Sequence, residues 1–227
     1  MPESQIEFAV QMTCNSCVEA VKKSLAGDPN IKNVNVDLEK GSVVVTSTLP
    51  TLQIQEKLES TGRKVVVRGY AGSSAGVAIV DTGKGNIQGV VRFVQVAPSS
   101  CIIDGTIDGL EPSAEYKLTV NECGDISQGC ESVGGVYQPL QDGEGRPYGD
   151  LGVFKTGNEG RATFKKEDNV LNLPEIIGRS LVVNSGEKRL VCGIIARSSG
   201  LFQNPKTICA CDGVTIWDEK IPPRAVL

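Results

Sequence analysis

Histidine is absent from all 227 residues. That removes imidazole general-base catalysis, serine–histidine triads and every histidine-ligated metal site. Long apolar runs are missing too. The longest, such as Val191–Ala196, fall far short of the roughly 20 residues a membrane-spanning helix needs. No sign of charge dominates. Against 23 Lys+Arg stand 27 Asp+Glu, a net charge of −4. A nucleic-acid-binding surface normally announces itself as a basic patch, so that class is set aside. The first residues, Met1-Pro2-Glu3-Ser4, lack the basic and apolar regions of an export signal. Cytoplasmic residence is expected.

What the chain does have is cysteine, eight in all, within an ordinary globular composition of 40% hydrophobic residues. Without an export signal, so many thiols point to metal or redox chemistry more than to a disulfide framework. Any metal must be held mainly by sulfur, which suits Cu(I) and Zn.

Residues 1–70 read as mixed α and β. Ile6–Gln11 alternates as a strand. A helical pattern follows over Cys17–Leu25, with Val18, Val21 and Leu25 on one face. Ile31–Leu38 and Ser42–Ser47 alternate as strands. Leu52–Leu58 is a second helix with Thr51 as its expected N-cap, and Lys64–Tyr70 a last strand. The order βαββαβ is the ferredoxin-like arrangement. Residues 71–76, Ala-Gly-Ser-Ser-Ala-Gly, read as a flexible linker. Over residues 77–197 short Val- and Ile-rich strands alternate with Gly, Asp and Pro turns, the grammar of an all-β sandwich or barrel. The glycine-rich stretch Cys123–Gly149 inside it is long enough to expect a functional loop. Residues 198–227 are too few for a core of their own and are expected to be mobile or docked on a partner. The expected class is thus α+β multidomain: ferredoxin-like unit, Greek-key β-sandwich and a short irregular tail.

Cys14 and Cys17 form a Cys-x-x-Cys pair where the first strand passes into the first helix. A helix N-terminus favours the thiolate, and two thiolates from a loop and a first turn can face one small ion. Two sulfurs leave zinc half-coordinated but suit a low-coordinate Cu(I). A redox pair and two inert core thiols are the other readings of that spacing. Cys209-Ala210-Cys211 is a Cys-x-Cys pair. Extended residues i and i+2 share a side, so both thiols can grip one metal. A disulfide between them would be strained and labile, suited to passing something on. Cys101 reads as a buried small apolar residue.

Met12-Thr13-Cys14-Asn15-Ser16-Cys17 in its βαββαβ setting resembles the heavy-metal-associated domain of copper-transport proteins, whose Met-x-Cys-x-x-Cys motif binds Cu(I). The resemblance makes Met12 a core anchor and sets Arg63 where such domains carry a basic residue near the metal. Its charge would offset a bis-thiolate Cu(I) centre; a solvated loop charge is the alternative. Gly124–Cys130, Gly149–Gly152, Ile177–Val183 and Arg189–Gly193 resemble Cu/Zn superoxide dismutase in order and spacing. That resemblance implies a Cys130–Cys192 disulfide, with two unbridged thiols as the alternative because cytosolic disulfides are rare, matches Arg189 to the dismutases' active-site arginine, and gives Gly124, Ile177, Gly178 and Ile194 as dimer-face residues, although Ile177 and Ile194 could equally be core. It also exposes departures. The copper-ligand positions hold Thr119, Asn121 and Asn184, the bridging position falls near Val136, and of the zinc ligands only Asp150 remains. Cys123 stands where the dismutase has an aromatic residue. No dismutase activity is expected, and a structural zinc is in doubt.

With the stretch Ser199–Gly213, the three parts in order resemble the copper chaperones for superoxide dismutase. What this implies is a metal carrier rather than an enzyme. It would hold Cu(I) on Cys14, Cys17, Cys209 and Cys211 and dock on Cu/Zn superoxide dismutase as a heterodimer. A homodimer through the same face is the alternative assembly. The carrier would hand over copper and promote the client's disulfide by thiol–disulfide exchange at Cys209/Cys211. A general thiol–disulfide oxidoreductase and a copper-buffering homologue without delivery are the alternative functions.

Overall fold

The computed structural model describes residues 1–83, 85–139, 146–206 and 215–218. The first unit is the expected βαββαβ. Strands β1 (Ser4–Val10), β2 (Ile31–Asp37), β3 (Ser42–Ser47) and β4 (Val65–Tyr70) form an antiparallel sheet ordered β2-β3-β1-β4. Helices α1 (Asn15–Leu25) and α2 (Thr51–Glu59) supply the rest of the unit. Ile6, Phe8 and Val10 alternate inward from β1 and meet Val21 and Leu25 of α1 and Ile54 and Leu58 of α2, all buried. Period two from the strand and period three to four from the helices put those residues on facing surfaces.

The second unit is all antiparallel. Its strands are β5 (Ser74–Val80), β6 (Thr82–Gly83), β7 (Gln88–Ala97), β8 (Ser100–Asp108), β9 (Glu115–Asn121), β10 (Asp150–Lys155), β11 (Ala162–Asp168), β12 (Ser180–Ser185) and β13 (Lys188–Ser198). A short helix α3 (Leu173–Ile176) precedes β12. The sheet order β10-β9-β12-β13-β5-β7-β8-β11 contains the non-sequential neighbours β9–β12 and β13–β5. The strands curl around one core that includes Val80, Phe93, Ile103, Leu118, Leu181 and Ile195. No helix among the described residues is long and apolar enough to cross a membrane.

Three expectations need correction. Residues 74–76 are the first part of β5, paired with β7 on one side and β13 on the other, not flexible linker. Strand pairing uses backbone groups, so small side chains do not prevent it. Thr51 is not the N-cap of α2 but its first residue; the cap is Pro50, with no side-chain hydrogen bond. The described parts of the tail are docked on this chain itself. Leu201 N–H donates to Tyr70 O, Phe202 N–H donates to the Glu7 carboxylate at 2.7 Å, and Asp218 pairs with Lys64.

The two units meet through buried polar groups. Asp104 of β8 accepts from Thr51 N–H at 3.0 Å and from Thr51 Oγ1 at 2.8 Å. Lys165 of β11 donates its ammonium to Ser47 O at 2.9 Å and Leu49 O at 3.1 Å. Tyr70 Oη lies 2.9 Å from Thr51 Oγ1. Val94 and Ile102 join the first unit's apolar cluster.

Candidate metal centre

The loop after β1 is fixed by backbone bonds on two sides. Val10 N–H donates to Gly41 O, and Gln11 N–H to Lys64 O. Met12 is half-buried against the first unit's core, the anchoring role the resemblance implies. Cys14 is the extended N-cap of α1, φ −161°, and its carbonyl accepts from Cys17 and Val18 N–H. The helix therefore starts two residues before the expected Cys17, because Asn15 and Ser16 already adopt helical geometry. The Cys14 side chain accepts no capping hydrogen bond from the helix N–H groups, which leaves its sulfur for other partners.

The two sulfurs stand 3.5 Å apart, Cys14 exposed and Cys17 half-buried. Ser16 Oγ lies 3.0 Å from Cys14 Sγ and Thr13 Oγ1 3.8 Å from Cys17 Sγ. The Cys17 thiol is lowered to about 6 by hydrogen bonds from the Thr13 backbone, then the Arg63 guanidinium, then Cys14. That lowering favours the Cys17 thiolate at neutral pH. Arg63 is further held by donating to Thr61 O at 2.7 Å, and its Nε is buried without a partner. So the structure brings Cys14, Cys17 and Arg63 together. Among the described residues no group of three or more Cys, Asp or Glu side chains converges. A pair of sulfurs with a guanidinium at hand suits a cation of low coordination number. Cys209 and Cys211 lie outside the described residues.

The dismutase-like metal positions are occupied by something else. Asn184 Nδ2 donates to Thr119 Oγ1 at 3.0 Å, Thr119 Oγ1 to Asn121 Oδ1 at 2.9 Å, and Asn121 Nδ2 to Gly134 O at 3.1 Å. Val136 pairs with Asn121 through a backbone bridge. Asp150 faces the ammonium of Lys117 at 2.8 Å and accepts from Gly152 N–H. Amide and hydroxyl groups spent on one another, and a carboxylate already matched by a cation, do not fit a resident copper or zinc. Arg189 is turned to structural use, donating to Cys130 O at 2.9 Å and Gly134 O at 2.6 Å.

Cys130 and Cys192 are brought together in one small buried cluster with Val133 and Val182. Both donate to one acceptor, Thr82 O, at 3.1 and 3.3 Å. The Cys192 thiol is pushed up by its hydrogen bond with Cys130 and by burial, so it is held protonated. Cys101 is fully buried and Cys123 exposed.

Gly124, Gly178 and Ile194 also converge. A Cβ on Gly124 would sit 2.0 Å from Gly178 O and 3.8 Å from Ile194 Cγ2. Ile177 instead packs partly buried against the second core. Sequence reasoning missed Ile79. It follows Ala78, whose partner is Ile195, so Ile79 and Ile194 lie on the same outer face, 50% and 39% exposed. Alternation along β5 was the available signal.

The copper/zinc superoxide dismutase family matches residues 87–200, and the heavy-metal-associated domain matches residues 7–64. A mouse protein named copper chaperone for superoxide dismutase is 47% identical, covering 97% of this chain and 90% of its own. The chain belongs to the copper chaperones for superoxide dismutase. Its human relative of that name is 45% identical over the same shares. The chaperone of Oryza sativa, named as chloroplastic, is 38% identical over 96% of this chain and 72% of its own.

Proposed function

We propose that this chaperone carries Cu(I) on Cys14 and Cys17 and delivers it to Cu/Zn superoxide dismutase, docking through the face around Gly124, Gly178, Ile79 and Ile194. The carrying observation is the sulfur pair 3.5 Å apart, Cys14 exposed, with the Cys17 thiol lowered by the Thr13 backbone and Arg63. Thiolates hold Cu(I) without redox chemistry and release it by exchange with another thiol, so the ion need never be free. In the dismutase-like unit the metal positions are closed by hydrogen bonds, so that unit serves as a docking partner. Dismutases associate through an isologous patch, which one chaperone unit can complete in place of a protomer. Ile177, which resemblance placed on the same face, would support it from beneath.

In this reading an oxidised Cys209–Cys211 pair also accepts electrons from two client thiols. A client sulfur attacks, a mixed disulfide forms and resolves, and the client leaves oxidised with the tail pair reduced. The reading includes cytoplasmic residence, supported by the unbridged thiols of Cys14, Cys17, Cys101 and Cys123, which suit a reducing compartment.

The test is activation of apo, disulfide-reduced Cu/Zn superoxide dismutase by the Cu(I)-loaded chain, with excess copper chelator and oxygen present. Activity is expected with the parent and lost in Cys209→Ser/Cys211→Ser. No activation by a parent that still binds Cu(I) at Cys14/Cys17 would leave a copper buffer. Disulfide transfer to unrelated thiols without copper would favour a general oxidoreductase.

A further inference from the structure

Helix α2 begins without a side-chain cap of its own, because its N-cap is Pro50. The first N–H groups of a helix need acceptors when buried. Thr51 is fully buried, and its N–H is satisfied by Asp104, a residue of the other unit. Asp104 itself is 2% exposed and stands in register between Arg92 of β7 and Lys165 of β11. Lys165, 4% exposed, spends its ammonium on two carbonyls of the first unit, Ser47 and Leu49. Burying such groups is costly unless each finds its partner, and here the partners lie across the junction. The second unit thus completes a helix of the first.

The position of this junction matters. Ser47 pairs with Ser4, the first residue of β1, and Tyr70 with Ile6. The Cys14/Cys17 loop follows Val10, at the other end of the same strand. From Ser4 to Val10 a strand rises about 20 Å. The clamp therefore grips the pole opposite the metal loop and turns the loop outward. It also uses β8 and β11, whereas the proposed client face uses β5, β13 and the loops at Gly124 and Gly178. Clamp and client can be engaged together.

We propose that Asp104 and Lys165 are positioning residues that hold the Cys14/Cys17 loop at one fixed, outward-facing station throughout copper delivery. The first unit does not swing toward the client. The exchanging thiols come to it. This inference rests on the chaperone reading for its functional half and on the clamp geometry for its structural half.

The experiment uses the full chain as parent, as Asp104→Ala/Lys165→Met and as Asp104→Asn. Backbone relaxation gives the tumbling of each unit, a competing chelator the Cu(I) affinity, and apo dismutase the delivery rate. In the parent both units are expected to share one correlation time. In the double variant the first unit should tumble faster, with Cu(I) affinity unchanged and delivery slowed about tenfold or more, as misplacement of reacting groups predicts. Asn keeps a capping oxygen, so Asp104→Asn should behave as the parent. A double variant that still tumbles as one body overturns the proposal. So does one whose freed first unit delivers at the parental rate. A parent that activates no client would strike the chaperone reading instead, and tumbling alone would then judge the clamp.

Discussion

Lys117 Nζ lies 2.8 Å from the carboxylate of Asp150, the one zinc-ligand type the dismutase-like unit retains. An ammonium on β9 stands in for a metal cation, so the carboxylate is matched without zinc. Chelator is expected to leave the melting temperature unchanged, and metal analysis of the Cys14→Ser/Cys17→Ser/Cys209→Ser/Cys211→Ser chain should find no stoichiometric zinc. Lys117→Met should cost up to about 1 kcal/mol, because Lys117 is partly exposed and screened. Burial raises the Asp150 carboxyl, but Lys117 and the Gly152 N–H outweigh it and hold the group below its ordinary 3.8. Its contribution is full above that value and is lost as pH falls through the lower folded value.

Cys17 gives the clearest pH signature. Its thiol is lowered from 9.0 to about 6. In the metal-free protein the alkylation rate at Cys17 should rise with pH to a midpoint near 6. Arg63→Met removes one of the causes and should move that midpoint upward. Below it, protons compete with Cu(I) for sulfur, so apparent affinity falls as pH drops. A midpoint near 9 in the parent would contradict the site geometry.

The proposed docking face can be tested at two depths. Ile194 is partly exposed, so Ile194→Asp should fold normally yet weaken the complex with dismutase about tenfold or more by burying an unpaired charge. Gly124→Val is harsher, since its Cβ would meet the Gly178 carbonyl. It should lower stability as well as association, as read by melting and analytical ultracentrifugation.

Cys130 and Cys192 share one carbonyl acceptor, and a mild oxidant should join them. Closing the loop between them should stabilise the second unit by about 4 kcal/mol on the chain-entropy account. The check is a rise in melting temperature that reductant reverses and that Cys192→Ser lacks.

Much of the first unit could be read directly because its inward residues keep strict periods: Ile6, Phe8 and Val10 in β1, Val21 and Leu25 in α1. The closeness of Cys14 and Cys17 was equally legible, because a Cys-x-x-Cys spacing at the start of a helix brings both sulfurs to one side. What stayed hidden depends on distant partners. Residues 74–76 look like linker until β7 and β13 flank them. Thr51 has the chemistry of a cap, yet its hydroxyl is taken by Asp104. Lys117 carries no local pattern; its meaning comes from Asp150, brought beside it by the β9–β10 pairing. No sequence signal announced that Arg189 would bond the Cys130 and Gly134 carbonyls instead of facing a reaction centre.

The docked start of the tail has a consequence for solubility. Strand β4 ends the first sheet, and an open rim of N–H and C=O groups invites other chains to add on. Residues 199–201 lie against that rim, with Tyr70 N–H donating to Ser199 O and Leu201 N–H to Tyr70 O. The approach is so close that a methyl group on Gly69 would strike Gly200 O at 2.2 Å. Among the described residues no strand pairs with the opposite rim, β2, which bears Lys32, Asn33, Asn35 and Asp37, a polar fringe that discourages stacking. The segment that leads to the tail thiols therefore also keeps the copper-carrying sheet from polymerising edge to edge.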